Sequence, residues 1–572
     1  MSVLRVANAS GFYGDRAGAF RETLEGGPVD VITGDYLAEL TMLILARDRA
    51  KDPTTGYAKT FLLEMRQSLA LALEKRVRIV VNAGGLNPAG LAAKLRELAQ
   101  TLGVDARIAH VHGDDLLERA QELSFGTSAG KALSANAYLG GWGIAAALGA
   151  GADVVVTGRV SDASLVVGPA AWHFDWQSSD WDKIAGAMAA GHVIECGTQA
   201  TGGNYAFFDR LADMRRPGFP IAEISADGSS VITKHPGTSG AVTCGTVTAQ
   251  LVYEITGARY AGPDAVLRLD SIDIAEDGPD RVRLSGARGE APPDTLKVSI
   301  NALGGFRNEV TFVLTGLDIE KKAALVQSQL ENAVPEGTTW TLARTDHPDS
   351  ESCEEASALL HCVARGQDPK VVGRAFSNAA VQIGLASYPG FHLTAPPGDA
   401  TPYGVYTPGW VKAAEVPHIV TLPDGSEIQL PPLAGTVGAA VALAAAPEPE
   451  LPVFPAPGTA AGPTTRAPLG RVAAARSGDK GGDANVGVWV ENAQAWPWLA
   501  NTLTVAKLKE LLPETRTLDV ERHVFPKLHA VNFVIHGLLG EGVASNARFD
   551  AQGKALGEWL RARNLEIPEE FL

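Results

Sequence analysis

The segment from residue 157 to residue 164, TGRVSDAS, carries the densest group of reactive side chains in the sequence, directly after the apolar run Asp153–Thr157. Arg159 can hold a carboxylate or a phosphate through two parallel hydrogen bonds. Asp162, three residues later, can act as a general acid or base, or orient one. The alternative is a purely structural ion pair between Arg159 and either Asp162 or Asp35. We favour the functional interpretation.

Polar side chains also follow the earlier apolar runs of the chain. Asp35 follows the second run and Asn82 ends the third. In α/β sheets ligands bind outside the carboxyl ends of the parallel strands. We therefore expect Asp35, Asn82, Arg159 and Asp162 to meet at one edge of a sheet.

Loops rich in glycine and small hydroxyl residues offer backbone N–H groups to a phosphate or to a developing oxyanion. Neither the dinucleotide fingerprint G-x-G-x-x-G nor the phosphate loop G-x-x-x-x-G-K-[ST] occurs in them, so NAD and ATP lack their usual support. The alternative is that these loops are only tight turns. The candidate binding residues in the loops are Gly11 and Gly14, then Gly84 and Gly85, and finally Gly237 and Ser239, which follow the candidate cation Lys234.

The run from residue 110 to residue 115, HVHGDD, allows a metal-dependent hydrolase as a further alternative. Alternation along a strand would place His110 and His112 on one face, with Asp114 close by. No Cys or His partner at a familiar zinc spacing accompanies them, and the acidic pair can simply begin a helix. We assign no metal site.

The overall composition limits the classes of function. The 572 residues contain 49 Lys and Arg against 65 Asp and Glu, for a net charge of −16. An acidic surface disfavours binding to nucleic acid and to anionic membranes. The four cysteines are too scattered for a disulfide framework, and no apolar run is long enough for a membrane span. We expect a cytoplasmic protein of two or three domains.

The order of predicted elements indicates the fold class. Short β-rich runs alternate with helical patterns over the first 170 residues, which predicts a mostly parallel sheet with crossover helices. The fold class is therefore α/β, with an α/β sheet part over 1–200 and an α+β elaboration over 201–445. Within that elaboration we predict a strand over Val242–Val252. The Gly- and Ala-rich segment Gly126–Ala150 predicts a closely packed helix beside the site.

A Pro-, Ala- and Gly-rich linker over 446–468 separates the large domain, 1–450, from a small C-terminal α+β domain, 469–572. A charged loop at residues 476–483, RSGDKGGD, lies near the start of this domain. A solvated turn can have this composition. We favour a functional or domain-docking loop that closes over the main site, with Lys480 as an anion-binding residue.

Ordered blocks spanning nearly the whole chain resemble the acyclic terpene utilisation protein (AtuA) family. The blocks that carry the resemblance are Asn82–Pro88, Ser134–Gly140, Val156–Ser164, Ile194–Tyr205, Gly218–Ile224, Val231–Gly240, Asn301–Phe312, Tyr388–His392 and Arg476–Gly487. The resemblance implies an AtuA domain to about residue 450 and a ferredoxin-like C-terminal domain. It also implies a role in the degradation of acyclic terpenes, beside pathways of branched acyl-CoA. It carries no established catalytic residues to this chain.

We expect an enzyme that acts on a branched-chain or isoprenoid acyl-CoA, or on the derived carboxylic acid, by lyase or hydrolase chemistry. Asp162 would be the acid or base, Asp35 would support it, and Arg159 and Lys234 would bind the anionic substrate. Coenzyme A is expected only as part of the substrate. The alternative is a non-catalytic scaffold of an acyl-CoA carboxylase pathway. A homo-oligomer and association with acyl-CoA pathway enzymes are left open.

Overall fold

A computed structural model describes residues 3–123, 132–454 and 462–572. The strands are β1 Leu4–Asn8, β2 Val31–Gly34, β3 Arg78–Val81, β4 Ile108–His112, β5 Ala132–Ala137, β6 Val154–Thr157, β7 Pro220–Ile224, β8 Ser230–Lys234, β9 Arg259–Ala261, β10 Val266–Arg268, β11 Asp273–Glu276, β12 Arg281–Ser285, β13 Arg288–Glu290, β14 Thr295–Thr315, β15 Thr339–Ala343, β16 Ser357–Gly366, β17 His392–Leu393, β18 Thr401–Lys412, β19 His418–Thr421, β20 Glu427–Leu430, β21 Thr464–Pro468, β22 Ala474–Lys480, β23 Asp483–Trp489, β24 Val520–Phe525, β25 Ala530–Ile535 and β26 Asn564–Pro568. The helices are α1 Ala19–Gly26, α2 Glu39–Lys51, α3 Lys59–Lys75, α4 Pro88–Leu102, α5 Trp142–Gly149, α6 Ser164–Phe174, α7 Trp181–Ile194, α8 Cys244–Leu251, α9 Ile319–Leu330, α10 Phe376–Gln382, α11 Ala439–Ala442, α12 Trp496–Thr502, α13 Val505–Leu511 and α14 Leu556–Arg561.

The main sheet has the strand order β11-β12-β8-β7-β1-β2-β3-β6-β4-β19-β20. Its centre, β1-β2-β3-β6-β4, is parallel throughout, as the alternating sequence pattern predicts. The strands outside that centre pair antiparallel with their neighbours on both sides. The prediction of a mostly parallel sheet is therefore wrong for the sheet as a whole. Short turns join β7 to β8 and β19 to β20, and strands joined by such turns pair antiparallel.

The central strands are buried on both faces, which explains their nearly unbroken apolar sequences. Val155 packs into the core on one face, whereas Val154 and Val156 pack into the core on the other. This alternation follows from the two-residue repeat of a strand. Helix α4 begins after Asn87, whose side-chain oxygen accepts a hydrogen bond from the backbone N–H of Gly90 at 2.9 Å.

Two predicted elements differ from the structure. Val242–Val252 contains the helix α8 rather than a strand. Thr243 caps this helix in a reciprocal box with Thr246, and residues 245–251 are all buried. A short, uniformly buried apolar segment has no periodicity that separates a helix from a strand. Of the helix predicted over Gly126–Ala150, residues 126–131 lie outside the described residues, 132–137 form strand β5, and 142–149 form helix α5.

The chain forms two compact units. The first comprises 1–301, 406–543 and 552–572, and the second comprises 302–405 and 544–551. The second unit has its own core around Phe312, Leu360 and Phe376. It is built on the antiparallel order β15-β16-β14-β17 and on helices α9 and α10. The predicted linker over 446–468 includes β21, which pairs with β26.

The C-terminal part of the first unit is an antiparallel sheet in the order β22-β23-β25-β24. Helices α12, α13 and α14 supply apolar residues to its core. The mixture of strands and helices in this part agrees with the predicted α+β character of the C-terminal domain. Within the described residues, no helix combines the length and the apolar character needed to cross a membrane.

Candidate functional site

Asp35 and Asn82 meet at the carboxyl ends of two neighbouring parallel strands, β2 and β3. The side-chain amide of Asn82 donates a 2.6 Å hydrogen bond to Asp35 Oδ1. Its oxygen accepts a 2.7 Å hydrogen bond from the backbone N–H of Tyr36. Asn82 is fully buried and Asp35 is 7% exposed. The amide therefore holds the carboxyl in one orientation.

Arg159 and Asp162 form the second pair, directly after β6. Nη1 of Arg159 donates to Asp162 Oδ1 at 2.7 Å, and Arg159 is only 3% exposed. The two pairs share one electrostatic environment. Burial raises the pKa of Asp35 well above its usual value, Asp162 raises it further, and Arg159 lowers it. The sequence prediction that Asp35, Asn82, Arg159 and Asp162 lie together agrees with this geometry.

Glu195 joins this group, although the sequence analysis did not single it out. It follows the last residue of α7, and the side-chain amide of Asn8, at the end of β1, donates to the carbonyls of Ile194 and Glu195 at 2.7 Å each. Burial raises the pKa of Glu195, and so does Asp162. A carboxylate after a helix rich in Gly and Ala, WDKIAGAMAAGHVI, is the signal that could have identified it.

His192 lies one helical turn before Glu195, with Nδ1 3.4 Å from Glu195 Oε1. Its ring is 4.7 Å from the ring of Tyr260. Burial lowers the pKa of His192 to about 4, and the charge of Lys480 contributes to the lowering. The imidazole is therefore neutral at physiological pH.

We call Asp35, Asn82, Arg159, Asp162 and Glu195 the strand-end cluster. Two of its carboxyl groups, those of Asp35 and Glu195, have a pKa raised by burial. A carboxyl group with a raised pKa is suited to general acid or base catalysis.

Several buried polar atoms around the cluster lack a hydrogen-bond partner among the described residues. They are Nε of Arg159, Oε2 of Glu195 and both ring nitrogens of His192. A buried polar atom without a partner costs about 1–3 kcal/mol. A polar ligand within the cluster would recover that free energy.

Asp114 is hydrogen-bonded to the backbone of Arg159, next to the strand-end cluster. It accepts hydrogen bonds of 2.8 Å from the side-chain amide of Asn136 and from the backbone N–H of Arg159. Burial raises the pKa of Asp114 to about 7. The rings of His110 and His112 stack 5.2 Å apart. Across residues 3–123, 132–454 and 462–572, no three His, Cys, Asp or Glu side chains are placed to hold a metal ion.

The hairpin of β22 and β23 packs against the segment that follows α8. The side chain of Asn485 accepts from the backbone N–H of Glu254 at 2.7 Å and donates to the carbonyl of Val252 at 2.9 Å. Arg476 donates to Gln199 at 2.7 Å, in the short helical turn that follows Glu195. These contacts attach the C-terminal sheet beside the strand-end cluster.

The turn of this hairpin carries the charged loop that the sequence analysis selected. Lys554 pairs with Glu254 at 2.9 Å and with Asp479 at 3.3 Å. Burial raises the pKa of Asp479 to about 6. The neighbouring Lys480 lowers the pKa of Glu195, against the larger effect of burial. The loop thus adds a cation to the environment of the cluster.

Lys234 lies apart from the strand-end cluster, with its ammonium group bound elsewhere. Its Nζ is 3.0 Å from Asp280 Oδ2 and donates to the carbonyl of Thr238 at 2.7 Å. In the same loop, Ser239 Oγ donates to the carbonyl of Arg216 at 2.5 Å, and Gly237 has a left-handed φ of +78°. These contacts explain the residue types at these positions of the loop by its structure alone.

The glycines of the first loops pack against neighbouring backbone. A Cβ atom at Gly11 would lie 2.6 Å from the carbonyl carbon of Cys196, and one at Gly84 would lie 2.4 Å from the carbonyl oxygen of Thr157. Gly85 has a left-handed φ of +52°. For Gly14 the nearest contact is the ring of Phe12, at 3.0 Å. Close packing requires Gly11 and Gly84; their predicted role in binding an anion stays a prediction.

Comparison with known proteins gives a family for the chain. The model of the acyclic terpene utilisation family protein AtuA matches residues 4–422, and the model of the AtuA ferredoxin-like domain matches residues 467–566. Neither a curated protein nor a solved structure matches the chain. The two matches agree with the predicted family and two-domain order. They also identify the C-terminal antiparallel sheet as part of a ferredoxin-like domain.

Proposed function

This chain belongs to the acyclic terpene utilisation protein AtuA family, and from that premise we propose a catabolic enzyme that acts on a branched-chain or isoprenoid acyl-CoA, or on the derived carboxylic acid. The proposed chemistry is that of a lyase or a hydrolase. The convergence of Asp35, Arg159, Asp162 and Glu195 at the carboxyl edge of the parallel strands carries this proposal.

We assign a different role in the proposed reaction to each residue of the strand-end cluster. Arg159 orients the anionic or polarised oxygen of the substrate, since its Nε is buried with no partner among the described residues. Asp162, at 2.7 Å from Arg159, transfers the proton. Burial raises the pKa of Asp35 and of Glu195 beside it and so favours their neutral forms. Both lyase and hydrolase chemistry need such a proton carrier.

Coenzyme A enters this proposal only as part of a thioester substrate. The ammonium group of Lys234 is bound by Asp280 and by the carbonyl of Thr238. We therefore assign the role of second anion-binding residue to Lys480, whose charge acts on Glu195.

The test is turnover of branched and isoprenoid acyl-CoA thioesters and of their free acids by the full chain. Release of free thiol reports a hydrolase, whereas a changed acyl group with the thioester intact reports a lyase. We expect Asp162→Asn to lower turnover by about 100- to 10,000-fold, the usual contribution of a positioned acid or base. Asp270→Asn is the matched control, because Asp270 pairs with Arg268 at 2.6 Å outside the cluster.

Full activity of Asp162→Asn would remove Asp162 from the proposed role. No turnover of any thioester or acid, together with stoichiometric co-purification of carboxylase subunits, would instead favour a non-catalytic scaffold.

A further inference from the structure

Arg159 and a second cation, Lys297, lie against a pair of tyrosine rings next to the strand-end cluster. The guanidinium carbon of Arg159 is 4.2 Å from the ring centre of Tyr138, and Nζ of Lys297 is 5.1 Å from the same ring. Nζ of Lys297 is also 5.6 Å from the ring centre of Tyr406. Tyr138 therefore lies in contact with both Arg159 and Lys297, and Lys297 connects it to Tyr406.

The turn between β22 and β23 lies against one of these rings, that of Tyr406. Gly481 has a left-handed φ of +67°, and a Cβ atom there would lie 3.0 Å from the ring of Tyr406. Its neighbour Lys480 influences the pKa of Glu195 and of His192 in addition to the larger effect of burial. We call Arg159, Lys297 and Lys480 the cationic arc.

The positive charges of the arc are only partly compensated. Arg159 pairs with Asp162, and the charge of Glu39 acts on Tyr406. Among the described residues, neither Lys297 nor Lys480 forms an ion pair with a carboxylate.

A hydrogen-bond donor of the arc is also unused. Nε of Arg159 is buried with no hydrogen-bond partner in the described part of the chain. Against the raising effect of burial, the charge of Lys480 lowers the pKa of Glu254 and of Glu195 without a direct ion pair. Two ammonium groups with no direct ion-pair partner in the described residues, beside the unused Nε of Arg159, form an arrangement that binds anions.

We propose that the cationic arc binds the anionic group of the substrate, a carboxylate or a phosphate, and that the C-terminal domain completes this site through Lys480. The inference rests on the proposed function for the identity of the ligand. Its geometry rests on three separate parts of the chain: the loop after β6, the start of β14 and the turn between β22 and β23. The large domain alone would lack one cation of the arc.

The experiment measures binding by calorimetry to the full chain, with two probes that do not turn over. Isovalerate supplies a branched carboxylate, and free coenzyme A supplies phosphates. We expect Lys480→Gln and Lys297→Gln each to raise the dissociation constant of the same probe by about tenfold or more, because each removes a charge-assisted hydrogen bond. Lys507→Gln is the control, since Lys507 lies in the same domain as Lys480 and pairs with Glu510 at 2.6 Å. Its binding should stay within about twofold of the parent chain.

A loss confined to isovalerate identifies a carboxylate site, and a loss confined to coenzyme A identifies a phosphate site; both support the inference. Parent-like binding of both probes by the two variants would overturn it, and so would a parent chain that binds neither probe. These outcomes are independent of turnover, so the inference can fail while the proposed enzyme activity stands. An unfolding temperature and a circular dichroism spectrum like those of the parent chain would show that each variant is folded.

Discussion

Asn82 donates a 2.6 Å hydrogen bond to Asp35 from the end of the adjacent parallel strand. The two residues are 47 positions apart in the sequence, and both are buried. The second contact of the amide, with the backbone N–H of Tyr36, fixes its orientation. Asn82 is therefore the residue that positions Asp35 within the strand-end cluster.

Asn82→Ala should lower the free energy of unfolding by about 1–3 kcal/mol, because it leaves buried groups of Asp35 and Tyr36 without a partner. Urea denaturation measures this change. Asn332→Ala, at an exposed position, is the control and should have little effect. Equal stability of the two variants would show that the amide is dispensable for folding.

Asp114 should make stability depend on pH. Burial raises its pKa to about 7 in the folded chain, whereas the pKa of Asp in an unfolded chain is about 4. Between those values the folded state holds a proton that the unfolded state releases, so the free energy of unfolding falls as pH rises. The slope from this group reaches about 1.4 kcal/mol per pH unit. Asp114→Asn should remove it in urea titrations from pH 5 to pH 8.

Asp153 provides the opposite sign as a control for that experiment. Burial raises its pKa, but the hydrogen bonds from Arg107 outweigh this effect and leave the pKa below its usual value. Asp153→Asn should therefore reduce stability evenly from pH 5 to pH 8, with no change in slope. A wild-type slope in Asp114→Asn would contradict the assignment of the pH dependence to Asp114.

Glu195 should shape the pH dependence of turnover. Burial and Asp162 raise its pKa, so its carboxyl retains a proton to higher pH than an exposed Glu does. A proton donor of this kind loses activity as pH rises through its pKa. We expect Glu195→Gln to remove that alkaline decline from the profile of kcat. A profile of the parent shape in Glu195→Gln would exclude Glu195 as the source of the alkaline decline.

The cap of α8 should contribute measurably to stability. Thr243 Oγ1 accepts from the backbone N–H of Thr246 at 3.2 Å, and Oγ1 of Thr246 accepts from the backbone N–H of Thr243 at 3.0 Å. Thr243→Ala should cost about 1 kcal/mol in urea denaturation, the usual value of a lost cap. Thr243→Ser keeps the hydroxyl and should retain most of the stability. If Ser is no better than Ala, the cap is not the cause.

Asn485 should hold the ferredoxin-like domain against the α/β domain. Asn485→Ala removes its hydrogen bonds with Glu254 and Val252, and we expect faster amide exchange at residues 252–254 and a stability loss of about 1–3 kcal/mol. Asn501→Ala is a control on an exposed side chain of the same domain. Unchanged exchange at residues 252–254 would show that other contacts hold the domains together.

Much of the local structure could be predicted because it depends on neighbours in the sequence. The five parallel central strands follow from apolar runs bounded by Gly and Asp, and helix α4 follows from Asn87 and Pro88 at its start. The placement of Asp35, Asn82, Arg159 and Asp162 could also be predicted, since residues after parallel strands share one edge of a sheet.

The rest depended on contacts between distant residues. Whether the strands at the two sides of the sheet pair parallel or antiparallel is decided by hydrogen bonds across the sheet, which leave no mark on the apolar pattern. The segment now seen as α8 had no usable periodicity because it is buried all round. Lys234 had the right charge, yet Asp280, 46 residues later, binds it outside the cluster.

The sequence by itself determined the family, the two-domain order and the residues that end the central strands. Only the tertiary structure decided that Glu195 belongs to the strand-end cluster and that Asp280 binds Lys234. The reason is physical: the charge of a side chain acts over its neighbours in space. Contacts between residues far apart in the sequence, such as that of Asn485 with Glu254 across 231 positions, are identified only once the chain has folded.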